Sequence, residues 1–292
     1  MKLLGSVLAV QIVVGLGVVV LFATGNVPFA DGEDSGSSAR PTVERFDSGA
    51  AWRLLRAQVE LGPRPAGSDA SRRLGGRLRD LLPRGRFQEL PGGLRNVVGT
   101  VRGRQPGYIV VGAHYDTKDI EGFVGANDGA AGTAVVTELA RTVKRPRHTI
   151  QFVLFDGEES PRGIPDGQFA EFGLRGSKVA AGRFREARAM VLLDFVGDRR
   201  LRIPREDNSN LRLWARLRAA ARRVGVGRTF PDASSGAVQD DHLPFLAAGV
   251  PAIDLIDFSF PCYHQTCDDL SAVSERSLDA TGEAVLELIR GL

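Results

Sequence analysis

The sequence predicts an α/β fold, with a central sheet covered by helices on both faces. Three observations carry that expectation. Short runs that are apolar throughout, such as Phe152-Val153-Leu154-Phe155 and Met190-Val191-Leu192-Leu193, read as strands with no solvent-facing side. Segments with helical amphipathic spacing alternate with them. Glycine and proline punctuate the joints, as Gly62-Pro63 does between the first two helical segments.

Taken in order, Ala50–Leu61 and Ser68–Leu82 read as amphipathic helices. Leu94–Val101 and Tyr108–His114 are β-branched runs parted by Gly103–Gly107, the pattern of a hairpin. Ala130–Val143 fits a helix, and Thr149–Phe155 and Ala189–Val196 fit strands. Asn210–Val224 is a strongly amphipathic helix, Leu243–Ala248 a short one, and Ala252–Ile256 a strand. Ser274–Ile289 closes the chain as a helix, with Ser274 suited to cap it.

The chain has 292 residues and a formal charge of only +3, so it is not a polycation. Its densest basic stretch, residues 71–86, reads as a solvated helix face, and no nucleic-acid partner is expected. The amino terminus differs from the rest. Leu3 to Ala23 carries no charge and is rich in Val and Leu, long enough to cross a bilayer. Residues 1–24 are therefore expected to be a signal-anchor or a cleaved signal peptide, giving a protein that is membrane-anchored on the extracytoplasmic side or secreted. Residues 25–42 have the Ser, Gly and acid content of a flexible linker, and residues 43–292 read as one catalytic domain. Cys262 and Cys267 bracket His264. In an exported protein they suit a local disulfide, and two unpaired thiols are the alternative.

Chemistry concentrates in five places: His114-Tyr115-Asp116, Asn127-Asp128-Gly129, Asp156-Gly157-Glu158-Glu159, Leu193-Asp194 and Tyr263-His264. Imidazoles and carboxylates are the ligands that a catalytic zinc uses, with one position left open for water or substrate. His114 ends a strand, and Asp116 could hold the far side of its ring. Asp128 precedes a helix, where it could cap the helix or face a metal. Glu158 and Glu159 repel each other unless a cation lies near, and one could hold metal while the other moves protons. Asp194 interrupts a run suited to burial, where carboxylates are normally paired or metal-bound. Ligands of open α/β sheets bind outside the carboxyl ends of strands, and several of these residues lie there.

In this order, and together with Gly62-Pro63-Arg64-Pro65-Ala66-Gly67-Ser68, these residues resemble the M28 family of zinc peptidases and its glutaminyl cyclase branch over roughly residues 50–290. The resemblance implies a three-layer α/β/α fold with a mixed, mostly parallel sheet. It implies that Asp128, Glu159 and His264 hold one zinc, that His114 and Asp194 add a second in aminopeptidases, and that Glu158 is the general base. It also implies peptide or protein amino termini as substrate. Val191-Leu192-Leu193-Asp194-Phe195-Val196-Gly197 and Gln239-Asp240-Asp241-His242-Leu243-Pro244-Phe245 resemble the cyclase versions of those segments. Cyclases use the aspartate matching Asp240, with that matching Asp194, in a proton network around the glutamate. Gln239 and Tyr263 fall where substrate would be touched. Two departures stand out: Ser160-Pro161-Arg162-Gly163 and Tyr263 occupy places where animal cyclases carry tryptophan. The expected activity is cyclisation of amino-terminal glutamine to pyroglutamate, with aminopeptidase hydrolysis as the alternative and an inactive tethered binding module as a third reading.

Overall fold

In the computed structural model, which describes residues 38–292, the apolar runs pair into a six-stranded sheet. Its strands are β1 (Arg86–Glu89), β2 (Arg95–Val101), β3 (Gln105–His114), β4 (His148–Phe155), β5 (Met190–Asp194) and β8 (Ala252–Ile256), in the order β1-β2-β4-β3-β5-β8. Strands β4, β3, β5 and β8 run parallel, and β1 and β2 add an antiparallel margin. Strands β6 (Arg205–Glu206) and β7 (Ser234–Gly236) form a separate two-stranded ribbon.

Alternation along the strands sorts the core into two layers. Val111, Phe152, Leu154, Val191, Leu193 and Ile253 face one side, packed with helices α1 (Ser48–Val59), α2 (Asp69–Leu81), α3 (Gly132–Thr142), α6 (Leu211–Arg223) and α8 (Glu275–Gly291). Val110, Val153, Phe155, Met190, Leu192 and Ala252 face the other, against α5 (Arg175–Arg183) and α7 (His242–Ala247). A four-residue turn of helix, α4 (Phe169–Phe172), precedes α5. The result is the expected three-layer α/β/α arrangement with a mixed sheet.

Several local expectations hold in detail. Ser68, Asn210 and Ser274 each accept a backbone N–H from the first turn of the helix that follows. The hairpin does not form. Strand β4 inserts between β2 and β3 and pairs with both, because its apolar residues need cover on two faces and two edges. Helix α3 starts at Gly132 rather than residue 130, since Asp128 (φ −80°, ψ 98°) and Gly129 (φ 89°) leave helical geometry. Helix α5 carried no apolar stripe in its sequence. It packs through small residues, and a Cβ at Gly176 would lie 2.4 Å from Asn96 Oδ1.

Packing also begins earlier than residue 43. Ser38 Oγ donates to the Arg199 carbonyl at 3.1 Å and lies 2.6 Å from Ser277 Oγ, and the Thr42 amide donates to Val224 O at 2.9 Å. The last residues of the expected linker are thus tied to α8 and α6. The apolar run Leu3–Ala23 lies outside the described residues. Among those described, no helix is long and apolar enough to cross a membrane.

The ribbon is held by Glu206, which is fully buried. Its Oε1 accepts the amides of Asn208 (2.9 Å) and Val238 (3.1 Å) and the side-chain amide of Asn208 (2.7 Å), while His242 Nε2 stands 3.1 Å from Oε2. Burial opposes ionisation, but these donors outweigh it and hold the Glu206 carboxyl down at about 2. Its ionised form therefore stabilises the fold fully above the ordinary carboxylate pKa, and that contribution fades as pH falls from about 4.5 to about 2. Glu206→Gln is expected to cost on the order of 2–3 kcal/mol at pH 7 and progressively less below pH 4.5, read by urea unfolding at several pH values. Phe152→Ala, in the fully buried middle of β4, is expected to cost about 3–5 kcal/mol in the same assay at every pH.

Candidate metal centre and active site

Strand register brings the first donors together. Gly112 of β3 lies beside Leu192 of β5, so His114 and Asp194, two residues further along each strand, emerge side by side at the carboxyl edge. His114 also pairs with Phe155, which places Asp156 to Glu159 directly beyond it. Strands β4 and β5 flank β3 on opposite sides, the kind of reversal at which α/β sheets open a crevice.

His114 Nε2 lies 3.2 Å from Asp194 Oδ1 and 3.3 Å from Asp128 Oδ1. Asp128 reaches that position because its segment is kinked. Its own amide and that of Asn127 donate to the two oxygens of Asp268, at 3.0 and 2.7 Å. Gly129 is required beside it: its φ is +89°, and a Cβ would lie 2.6 Å from Asp116 O. Asp128 therefore does not cap α3, whose first residues have no side-chain cap.

The second Asp128 oxygen, Oδ2, is buried, has no hydrogen-bond partner, and faces His264 Nε2 at 3.5 Å. His264 Nε2 is in turn 3.2 Å from Glu159 Oε1. Two donor triads result, His114 with Asp128 and Asp194, and Asp128 with Glu159 and His264, each with its ligand atoms within 4.8 Å of one another. Asp128 belongs to both. Nitrogen and oxygen donors gathered around an unpartnered carboxylate oxygen suit a zinc-type cation.

The loop carrying His264 is braced twice. Cys262 and Cys267 form a disulfide with Cα atoms 5.5 Å apart, and between them His264 adopts φ +50°. Tyr263 stacks on the imidazole at 3.9 Å between ring centroids. It packs against Phe195 and Phe258 as well.

Electrostatically the site is short of positive charge. Burial, with the charge of Glu159, raises Asp128, and burial then Glu159 push Glu158 well above the usual carboxylate range. Burial lifts Asp194 to about 7 and raises Asp240. Burial opposes protonation of His114, but the charge of Asp194 and neighbouring carboxylates carry it well above its ordinary value. Glu159 goes the other way. His264 and then Lys118, whose Nζ is 3.0 Å from Oε2, overcome its burial.

Glu158, Glu159, Asp128, Asp194, Asp240 and His264 line a cavity of about 230 Å³. Gln239 and Tyr263 line it too, with Phe169, Phe195, Ile256 and Phe258 as apolar walls. Two expected contacts differ. Asp116 stands 3.8 Å from His114 Nδ1, because its oxygens accept the Glu158 and Glu159 amides at 3.2 Å each. Asp194 accepts the Phe195 amide and lies 3.2 Å from His114 Nε2, and Asp240 accepts the Asp241 amide, so neither hydrogen-bonds Glu158 directly; Asp240 raises Glu158 through its charge.

The residues that sequence reasoning passed over are supports. Asp268 holds the Asp128 segment. Arg64, fully buried, donates to the carbonyls of Gln58, Gly62, Val124 and Gly125, and burial lowers it to about 10. Lys118 pairs with Glu159. Only Arg64 had a signal, its place between Pro63 and Pro65.

Comparison with known proteins identifies the family. The model of peptidase family M28 matches residues 96–289. The glutaminyl-peptide cyclotransferase of Bos taurus is 30% identical over 226 residues, covering 64% of this chain and 61% of its own length, so the chain spans about three-fifths of that relative. A leucine aminopeptidase precursor from Bacteroides thetaiotaomicron superposes with a TM-score of 0.77 at 27% identity, over 86% of this chain and 99% of the other. Porphyromonas gingivalis glutaminyl cyclase superposes with a TM-score of 0.75 at 28% identity, over 85% and 99%. The chain belongs to peptidase family M28.

Proposed function

We propose that the chain is a zinc-dependent glutaminyl cyclase that converts amino-terminal glutamine of peptides or proteins to pyroglutamate. The observation that carries this reading is a buried carboxylate, Glu158, beside the Asp128–Glu159–His264 triad, with two further acids, Asp194 and Asp240, lining the same small cavity. The cyclotransferase relative and the structural likeness to a cyclase support it.

Asp128, Glu159 and His264 are the residues that would hold the zinc. Bound there, the ion would polarise the side-chain carbonyl of the substrate. Glu158 takes a proton from the α-amine as that nitrogen attacks the side-chain carbonyl carbon, and returns it to the amide nitrogen, which leaves as ammonia. Asp194 borders the same cavity beside His114, while the charges of Asp240 and Asp241 raise Glu158 and so favour its holding the proton between the two transfers. The apolar walls and the Tyr263 ring limit the water that would compete with the amine. The cavity is sized for one side chain, as a reaction confined to the terminal residue requires. The Cys262–Cys267 disulfide supports an exported setting for this activity.

A second reading has one specific observation behind it. The His114–Asp128–Asp194 triad shares Asp128 with the first, as a two-metal aminopeptidase would need, and a leucine aminopeptidase precursor is a structural neighbour. Mass spectrometry of a library of amino-terminal peptides separates the two. Loss of one ammonia from glutaminyl peptides is the expected outcome, and release of whole residues would refute the cyclase reading.

Glu158→Gln is expected to lower kcat by about 10²–10⁴-fold with little change in KM. Dialysis against a chelator is expected to abolish turnover, with recovery on adding zinc. Replacing Cys262 and Cys267 together by serine is expected to weaken zinc binding by about tenfold, read by competition with a chromophoric chelator, because His264 loses one of its two braces.

A further inference from the structure

The basic connection Lys144-Arg145-Pro146-Arg147 has no part in the proposed reaction. It enters β4 at the amino-terminal edge of the sheet, roughly 25 Å along an eight-residue strand from the metal centre. Here Arg45, Arg104, Lys144, Arg145, Arg147 and Arg290 line a cavity of about 580 Å³ whose apolar part includes Val143 and Ile289. No acidic side chain lines it.

Several arginines elsewhere on the surface have carboxylate partners. Arg79 pairs with Asp80, Arg162 with Asp119, and Arg218 with Asp232. In this cavity only Arg45 does, through Glu283 and Glu287, and even its Nη2 is buried without a partner. Lys144 and Arg147 donate to neutral oxygens, the Arg141 carbonyl and Gln105 Oε1. Among the described residues, Arg104, Arg145 and Arg290 have no side-chain hydrogen bond or ion pair. Five cations without counter-charge thus converge in a protein whose whole net charge is +3. A concave surface focuses their field, and an anion bound there would relieve their mutual repulsion.

We propose that this cavity is a binding site for a phosphate-bearing anion, separate from the metal centre, with Arg104, Arg145 and Arg290 taking its oxygens. Phosphate fits better than a lone carboxylate. It carries more charge, and its several oxygens match more than one guanidinium fork at a time. The ligand is either a free phosphate compound or a phospholipid headgroup whose first methylenes would meet the apolar floor.

The test is calorimetric titration of the full chain, in neutral detergent, with inorganic pyrophosphate and with dihexanoyl phosphatidylglycerol. The charge-reversal triple R104E/R145E/R290E and the neutral triple R104Q/R145Q/R290Q are run beside it. All three arginines are exposed, so both variants are expected to keep the wild-type melting profile and turnover. Saturable binding of at least one probe is expected, weakened about tenfold or more in both variants and weakened by added salt. Tighter binding of pyrophosphate assigns a free phosphate compound, and tighter binding of the lipid assigns a headgroup. The proposal falls if neither probe saturates, or if binding is the same in the variants, which would place pyrophosphate at the metal centre instead.

Discussion

The structure turns on negative charge buried at one edge of a sheet. Asp116, Asp128, Glu158, Glu159, Asp194 and Asp240 are all buried near the ends of β3, β4 and β5, against His114, His264 and Lys118. A carboxylate out of water is costly unless it meets donors or a cation. The protein meets part of that cost with backbone amides, which it aims at Asp116 and Asp268 through tight turns. Oxygens of Asp128 and Asp240 remain without a hydrogen-bond partner, and Asp128 belongs to both triads. Fold and site are coupled there: the turns that satisfy the supporting acids are the ones that position the ligands.

That coupling explains what could be read in the sequence. Strands and helices were legible because period and apolar content report burial directly, as β4, β5, α6 and α8 show. The donor residues were legible because acids and histidines at the ends of such runs are conspicuous. Pairing order was not, since β2 and β3 meet the local criteria of a hairpin and only the demand of β4 for two neighbours overrides them. Helix α5 was missed because Gly176, Ser177, Ala180 and Ala181 give no periodic apolar stripe, although their smallness is what lets the helix approach the sheet.

Within the site, residue types were easier to foresee than their contacts. Asp116 was expected to serve His114, but two amides compete for the same oxygens, and backbone donors fixed by a turn are hard for a side chain to displace. Asp268 and Lys118 act entirely through partners distant in sequence. An aspartate after a cysteine or a lysine after a threonine looks ordinary until the fold brings Asp128 and Glu159 beside them. Tyr263 is the converse case. Its departure from the tryptophan of animal cyclases is plain in the sequence, whereas its stacking on His264 is visible only in three dimensions.

The place of β4 between β2 and β3 has a consequence for how the chain matures. During synthesis, β2 and β3 emerge together yet cannot join each other in the native order, and each waits with an unpaired edge for a strand about forty residues further on. Until β4 leaves the ribosome, those edges are open to pairing with other chains. Cellular handling of this protein, by holding factors or by the pace of synthesis, thus matters most over the stretch between His114 and Phe155, where His114 and Asp128 are also being laid down.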